Sequence, residues 1–126
     1  MAGSELIFAL SKIVKSHVGK QVELRMKTSA REILVDGAGK AVGLKVQVDG
    51  EEKTEDIFAE NVIVATGGFA ADRTDTSLLR QYRPDLAHFA TTNGKFATGD
   101  GHKMLLSSGA DFVDMSNVQV CGASFS

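Results

Sequence analysis

An apolar run, Val62-Ile63-Val64-Ala65, stops abruptly on Thr66-Gly67-Gly68. No other stretch narrows the possible folds as much. A continuous apolar run bounded in this way has the pattern of a strand covered on both faces, as in a parallel sheet packed by helices. Small residues at the carboxyl end of such a strand let backbone approach a ligand closely, and Thr66 adds a hydroxyl. Taken alone, the run is equally compatible with a core strand that leaves through an ordinary glycine turn.

A second small-residue loop, Thr98-Gly99-Asp100-Gly101, stands immediately before an apolar-periodic helix that includes Met104 and Leu105. Asp100 suits the N-cap position, accepting backbone N–H bonds from the first turn. It equally suits a carboxylate offered to a ribose hydroxyl, while the helix N-terminus offers partial positive charge to a phosphate or an anionic flavin. The two roles are compatible. Two such loops in one short chain favour the ligand reading over the bland one.

The remaining composition narrows the class. With 126 residues, 43% apolar, the chain is long enough for one small domain with a core. A net charge of −2 gives no electrostatic case for nucleic acid or an acidic membrane surface. No apolar run reaches the length of a membrane span, and no basic-then-apolar leader is visible. Cys121 is the single cysteine, which excludes an internal disulfide and a cysteine-pair metal site and suits a reducing compartment. His17, His88 and His102 lack metal spacing. His17 reads as a solvated helix end and His102 as the exposed side of a helix, leaving His88 as the one histidine worth keeping as a site candidate. No serine or cysteine nucleophile stands with a base. Arg80, Arg83 and Lys103 read as solvated surface.

Along the chain, Leu6, Ile7, Leu10, Ile13 and Val14 recur at helical spacing, predicting a helix from about Ser4 to His17 that Gly19 ends. Val22–Met26 reads as a short strand. Ala30–Val35, Ala41–Val48 and the stretch around Lys53–Ala59 form a three-stranded antiparallel meander, with turns at Asp36–Gly39 and Asp49-Gly50. Asn61–Thr66 is the buried strand already described. A polar helix near Asp75–Tyr82 breaks at Arg83-Pro84, an irregular stretch follows to Thr98, and a helix spans about Asp100–Ser108. Asp111–Val120 is strand-like.

This order of motifs resembles the flavoprotein subunit family of fumarate reductases and succinate dehydrogenases, most of all its soluble eukaryotic fumarate reductases. Four stretches carry the resemblance: GSELIFALSKIVKS, KTSAREILVDGAGKAVGLKV, ENVIVATGGFA, and RPDL followed by TTNGKFATGDGHKMLLSSGADFVDM. The fold it implies is α/β, a partial Rossmann-like FAD-binding domain over residues 1–126, with a parallel sheet and the three-stranded antiparallel meander at about residues 30–59. By position, the resemblance implies that the Ala30 backbone meets the adenine of FAD. Ala65, Thr66 and Gly67 match a loop against the diphosphate and ribose, and Thr91, Thr92 and Asn93 match a polar loop on the cofactor side. Thr98, Gly99 and Asp100 match the second loop, with Asp100 as the side-chain contact.

The departures are equally informative. The family's Gly-x-Gly-x-x-Gly phosphate loop, which lies upstream of the Ala-Thr-Gly-Gly strand, does not occur in these residues. Cys121, Gly122 and Ala123 stand where the family has a His-Pro-Thr whose histidine binds the dicarboxylate. No catalytic residue is therefore assigned. The resemblance implies a fragment of a flavoprotein that reduces fumarate to succinate with FAD, inactive as this chain alone because it carries neither the full cofactor site nor the proton donor. The other reading is a non-catalytic remnant serving as a structural or interaction subunit, with a partner covering the exposed sheet face.

Overall fold

The computed structural model describes residues 2–120. Cys121, Gly122 and Ala123 lie outside the described residues. Helix α1 spans Ala2–His17 and is followed by strands β1 (Thr28–Val35), β2 (Ala41–Val48) and β3 (Thr54–Phe58). Helix α2 (Leu78–Tyr82), a short 3-10 turn at Pro84–Leu86 and helix α3 (Asp100–Ser107) complete the elements.

The meander forms because each strand alternates or clusters apolar side chains and each turn has residues that close it. The three strands are antiparallel in the order β1-β2-β3. At the first turn the Asp36 carboxylate accepts the amides of Ala38 and Lys40, both at 2.9 Å, and Gly39 takes φ +80. That is the side-chain-to-backbone closure that makes aspartate a turn residue. The second connection is wider than a two-residue hairpin. Gly50 has φ +88, but pairing resumes only at Gln47 opposite Thr54. Ile33 and Val46 are buried on the sheet, and Leu78, Leu79 and Leu86 form a second buried group around α2.

Gly43, buried in the middle of β2, pairs with Leu34 on one side and Phe58 on the other. A Cβ placed there would run into the Ile57 carbonyl, with Phe58 Cα 3.0 Å away. Both obstacles are backbone, so nothing yields cheaply. Close approach of β3 to β2 therefore requires glycine here.

Three expected strands are not formed. Residues 61–68, the Val-Ile-Val-Ala run included, pair with no strand, and Ile63 is 90% exposed. A strand exists only through a neighbour that takes its N–H and C=O groups, and none of the described residues supplies one beside this run. Residues 22–26 and 111–120 likewise join no sheet. Val22 makes only an isolated parallel bridge to Val18 where the chain folds back after α1. The parallel sheet is thus not formed among the described residues. α1 packs on no other element, so its apolar residues, Phe8 at 75% among them, stay exposed. α2 starts three residues later than its composition suggests, because Ser77 is its N-cap and accepts the Arg80 amide at 3.5 Å.

The backbone obstruction at Gly43 gives a direct check. Gly43→Ala is expected to lower the urea midpoint of the chain, at a cost of about 1–3 kcal/mol typical of overpacking. An alanine variant with an unchanged midpoint would show that β3 does not sit against β2 as described.

Candidate functional site

Two turns meet at the N-terminus of α3. The first is Ala65–Gly68, all four residues exposed, with Gly67 at φ +80. The second is Thr98–Gly101. The Gly99 amide donates to the Gly68 carbonyl at 3.1 Å, and the Ala71 amide to the Ala97 carbonyl at 2.9 Å. Two glycines allow this approach. Gly99 is buried at φ +74, and a Cβ on it would lie 2.7 Å from Phe69 Cβ. A Cβ on Gly101 would run into the Thr66 hydroxyl and come within 3.0 Å of Val64 Cγ1. The Thr66 side chain therefore lies directly on the first turn of α3.

Asp100 is not the N-cap of this helix. Gly99 holds that position with no side-chain bond, and the Lys103 amide donates to its carbonyl at 3.0 Å. The Asp100 carboxylate instead accepts the Thr98 hydroxyl at 3.0 Å and remains exposed. The left-handed Gly99 accounts for the change, because a cap needs an extended backbone to swing its own side chain over the first turn. The early N–H groups of α3 are thus without a side-chain cap, and an acidic side chain stands beside them.

The other positions expected at the site are arranged differently. Ala30 lies half-buried in β1 opposite Val46, immediately before a register shift that leaves Arg31 as an extra residue. Such a bulge frees backbone polar groups from the ladder. Thr91 and Asn93 form a local turn, with the Asn93 amide and its side-chain amide both donating to the Thr91 hydroxyl at 3.1 Å. Thr92 is exposed next to it. Among the described residues no hydrogen bond joins Thr91, Thr92 or Asn93 to either of the meeting turns. The structure therefore brings together Ala65, Thr66, Gly67, Thr98, Gly99 and Asp100, and among the described residues no hydrogen bond ties Ala30 or the 91–93 turn to them.

Behind the two turns is a polar cluster that spacing in the sequence does not reveal. Asp72 is 3% exposed, and its carboxylate accepts the Lys103 ammonium at 2.6 Å. Its other oxygen accepts the Thr74 amide at 2.9 Å and the Thr74 hydroxyl at 2.7 Å. The buried Ser77 hydroxyl donates to the Asp72 carbonyl at 2.9 Å. Burial pushes the Asp72 carboxyl upward, but the bonds from Lys103 and Thr74 outweigh it and hold its pKa at about 2. Asp72 is thus ionised at neutral pH.

Lys103 is accordingly tied to a buried partner, while Arg83 is partly solvated. Arg83 grips Asp85 with two bonds of 2.8 and 2.7 Å and donates to the Ser116 carbonyl at 3.0 Å. Arg80 is exposed, as its sequence context suggests. His102 is not on an exposed side. Its ring lies edge-on between Phe69, at 5.4 Å, and Phe112, at 5.3 Å. His88 is exposed and rests on Phe89 at 4.3 Å, away from both turns. The one signal for Asp72 that the sequence offered was its spacing to Thr74, which suits a local turn.

A cavity of about 240 Å³ lies between the end of β1, Val62, Val64 and Leu105. No titratable side chain lines it. Among the described residues there is no group of three His, Cys, Asp or Glu side chains that could hold a metal, and no helix long and apolar enough to cross a membrane.

The profile of the FAD binding domain family matches residues 1–125. The chain belongs to that family. It is similar to the fumarate reductase of Schizosaccharomyces pombe, at 45% identity over 73 residues, covering 58% of this chain and 14% of that protein. It is also similar to the NADH:fumarate oxidoreductase of Klebsiella pneumoniae, at 34% identity over 113 residues, covering 90% of this chain and 12% of that protein. Among solved structures, an open conformation of a flavocytochrome c3 fumarate reductase superposes with a TM-score of 0.80 at 28% identity. That match covers 93% of this chain and 20% of the other. The chain therefore spans a small part of the length of the relatives it matches.

As a member of an FAD binding domain family, the chain can be tested for fit to FAD on its own geometry. A mononucleotide or dinucleotide cofactor needs bare backbone and a shape that no Cβ obstructs. Gly67, exposed and with open space where a Cβ would stand, meets that need, whereas the buried Gly99 and Gly101 make room for Phe69 and Thr66 of the chain itself. The exposed Asp100 carboxylate suits a hydroxyl donor and disfavours a phosphate at the same spot. The residues present fit one flank of such a cofactor.

Close packing of Thr66 on Gly101 makes a non-additive prediction. Gly101→Ala should destabilise the chain by about 1–3 kcal/mol. Thr66→Ala in the same chain should recover a large share, because the nearest obstructing atom is then gone. Additive losses in denaturant unfolding would show that the two turns do not touch.

Proposed function

We propose that this chain is a portion of an FAD-dependent fumarate reductase, and that the paired turns form one wall of its cofactor cradle. The observation that supports this most is the joining of the Thr66–Gly68 and Thr98–Asp100 turns through the Gly99–Gly68 bond and the Thr66–Gly101 contact. In this reading the Thr66 and Gly67 backbone lies against the cofactor's diphosphate and ribose, and Asp100 accepts a hydroxyl. The bulge after Ala30 offers backbone to the adenine, and Thr91, Thr92 and Asn93 line the cofactor side in the complete protein.

FAD, when bound and reduced by an external electron donor, would supply the electron pair for reduction of the dicarboxylate. This chain's own residues position and shield, and none of them is assigned the proton. The names of the relatives carry the substrate class: fumarate in the S. pombe, Klebsiella and flavocytochrome proteins. We infer further that residues 61–66 take a parallel neighbour in the complete protein, which covers Ile63 and completes a Rossmann-like sheet. The isolated chain is then inactive as a reductase.

A second reading, a structural or interaction subunit with no cofactor, is favoured by the exposed apolar side of α1 and by Ile63. Flavin binding separates the two. On the first reading FAD titrated into the purified chain binds along a saturable curve, as a single wall of the cradle allows. Asp100→Ala then weakens binding by about tenfold or more, as loss of a charge-assisted hydrogen bond of about 1.5–3 kcal/mol implies. A chain that binds no flavin supports the subunit reading.

A further inference from the structure

Asp72 is the one carboxylate of the described residues that is almost wholly buried, and the cofactor reading does not use it. Burying a charge is costly unless every lone pair is answered, and a buried ion pair contributes little net stability. What such a pair supplies well is direction. Here every polar atom of Asp72 is engaged. One carboxylate oxygen takes Lys103 Nζ, the other takes Thr74, the carbonyl takes the Ser77 hydroxyl, and the amide donates to the Phe69 carbonyl at 3.2 Å.

The placement of the pair is as informative as its bonding. Asp72 lies four positions after Gly68, and Lys103 four positions after Gly99. The Gly99–Gly68 hydrogen bond and the Lys103–Asp72 ion pair therefore close a small ring made of the two segments. Inside that ring Phe69 meets His102 edge to face, and just outside it the Ala71 amide bonds the Ala97 carbonyl. Thr66 and Gly67 directly precede the first segment of this ring, and Asp100 lies in the second.

We propose that Asp72 and Lys103 are a positioning pair, which fixes the first turn of α3 against the Thr66–Gly68 turn and so sets the shape of the cradle wall. This rests on the reading of those turns as a cofactor cradle. Neither residue touches the proposed ligand. Lys103 holds α3 from one turn above its N-terminus; Asp72 ties that position to the preceding loop through its amide bond to the Phe69 carbonyl, while Thr74 and Ser77 fix Asp72 from the segment that follows.

The test reads the loop junction directly and does not depend on FAD. Amide hydrogen exchange of the full chain would be followed at Gly99, with the β2 amides as the control for global folding. Lys103→Met and Asp72→Asn should each speed Gly99 exchange by about tenfold or more while β2 protection is unchanged, as expected of a local opening. Lys103→Arg, which keeps the charge and a donor, should stay close to the parent. Flavin affinity should fall in the same order. Unchanged Gly99 exchange in both disruptive variants overturns the proposal. Equal loss of Gly99 and β2 protection overturns it too, since the pair would then act on the whole fold. If Gly99 responds as expected but the parent chain binds no flavin, the positioning role stands and the cofactor reading alone fails.

Discussion

The contact on which the candidate site depends is the seating of α3's first turn on the turn that follows Val64. It requires glycine at two positions for two different reasons. Gly99 must take a left-handed backbone and leave room for Phe69, and Gly101 must leave room for Thr66. A side chain at either place would push the segments apart. The carbonyl of Gly68 would then lose the Gly99 amide. With both glycines present, an uncapped helix N-terminus, a threonine hydroxyl and an exposed carboxylate stand together on one surface. None of these groups is a nucleophile paired with a base.

The local structure was legible wherever sequence pattern and backbone chemistry agree. The meander follows from strand-forming residues between turns whose aspartates and glycines close them, and α1 and α3 follow from helical spacing. What the sequence could not reveal depended on neighbours. The Val62–Val64 run has the composition of a buried strand, yet a strand needs a partner ladder, and none of the described residues offers one. Asp100 sits where an N-cap belongs, yet the left-handed Gly99 takes that place. Lys103 looks like any surface lysine until Asp72, distant in sequence, is found beneath it. His102 looks solvated until Phe69 and Phe112 close around it. Long-range pairs of this kind leave no periodic trace in a single sequence.

The exposed apolar surface fits the same picture. Ile63 at 90%, Phe58 at 73% and the apolar residues of α1 lie open, well beyond what scattered surface hydrophobics explain. The matched relatives are several times longer than this chain, and the match falls within their FAD binding domain family. Membership of the FAD binding domain family is therefore firm.

The most direct measurement is a titration of the isotope-labelled chain with FAD, followed by amide chemical shifts. If the paired turns are the cofactor wall, the amides of Thr66, Gly67, Gly68, Gly99 and Asp100 shift together along a single binding curve, and those of β2 and β3 stay in place. Shifts confined to α1 or the meander, or no shift at saturating FAD, would contradict the account.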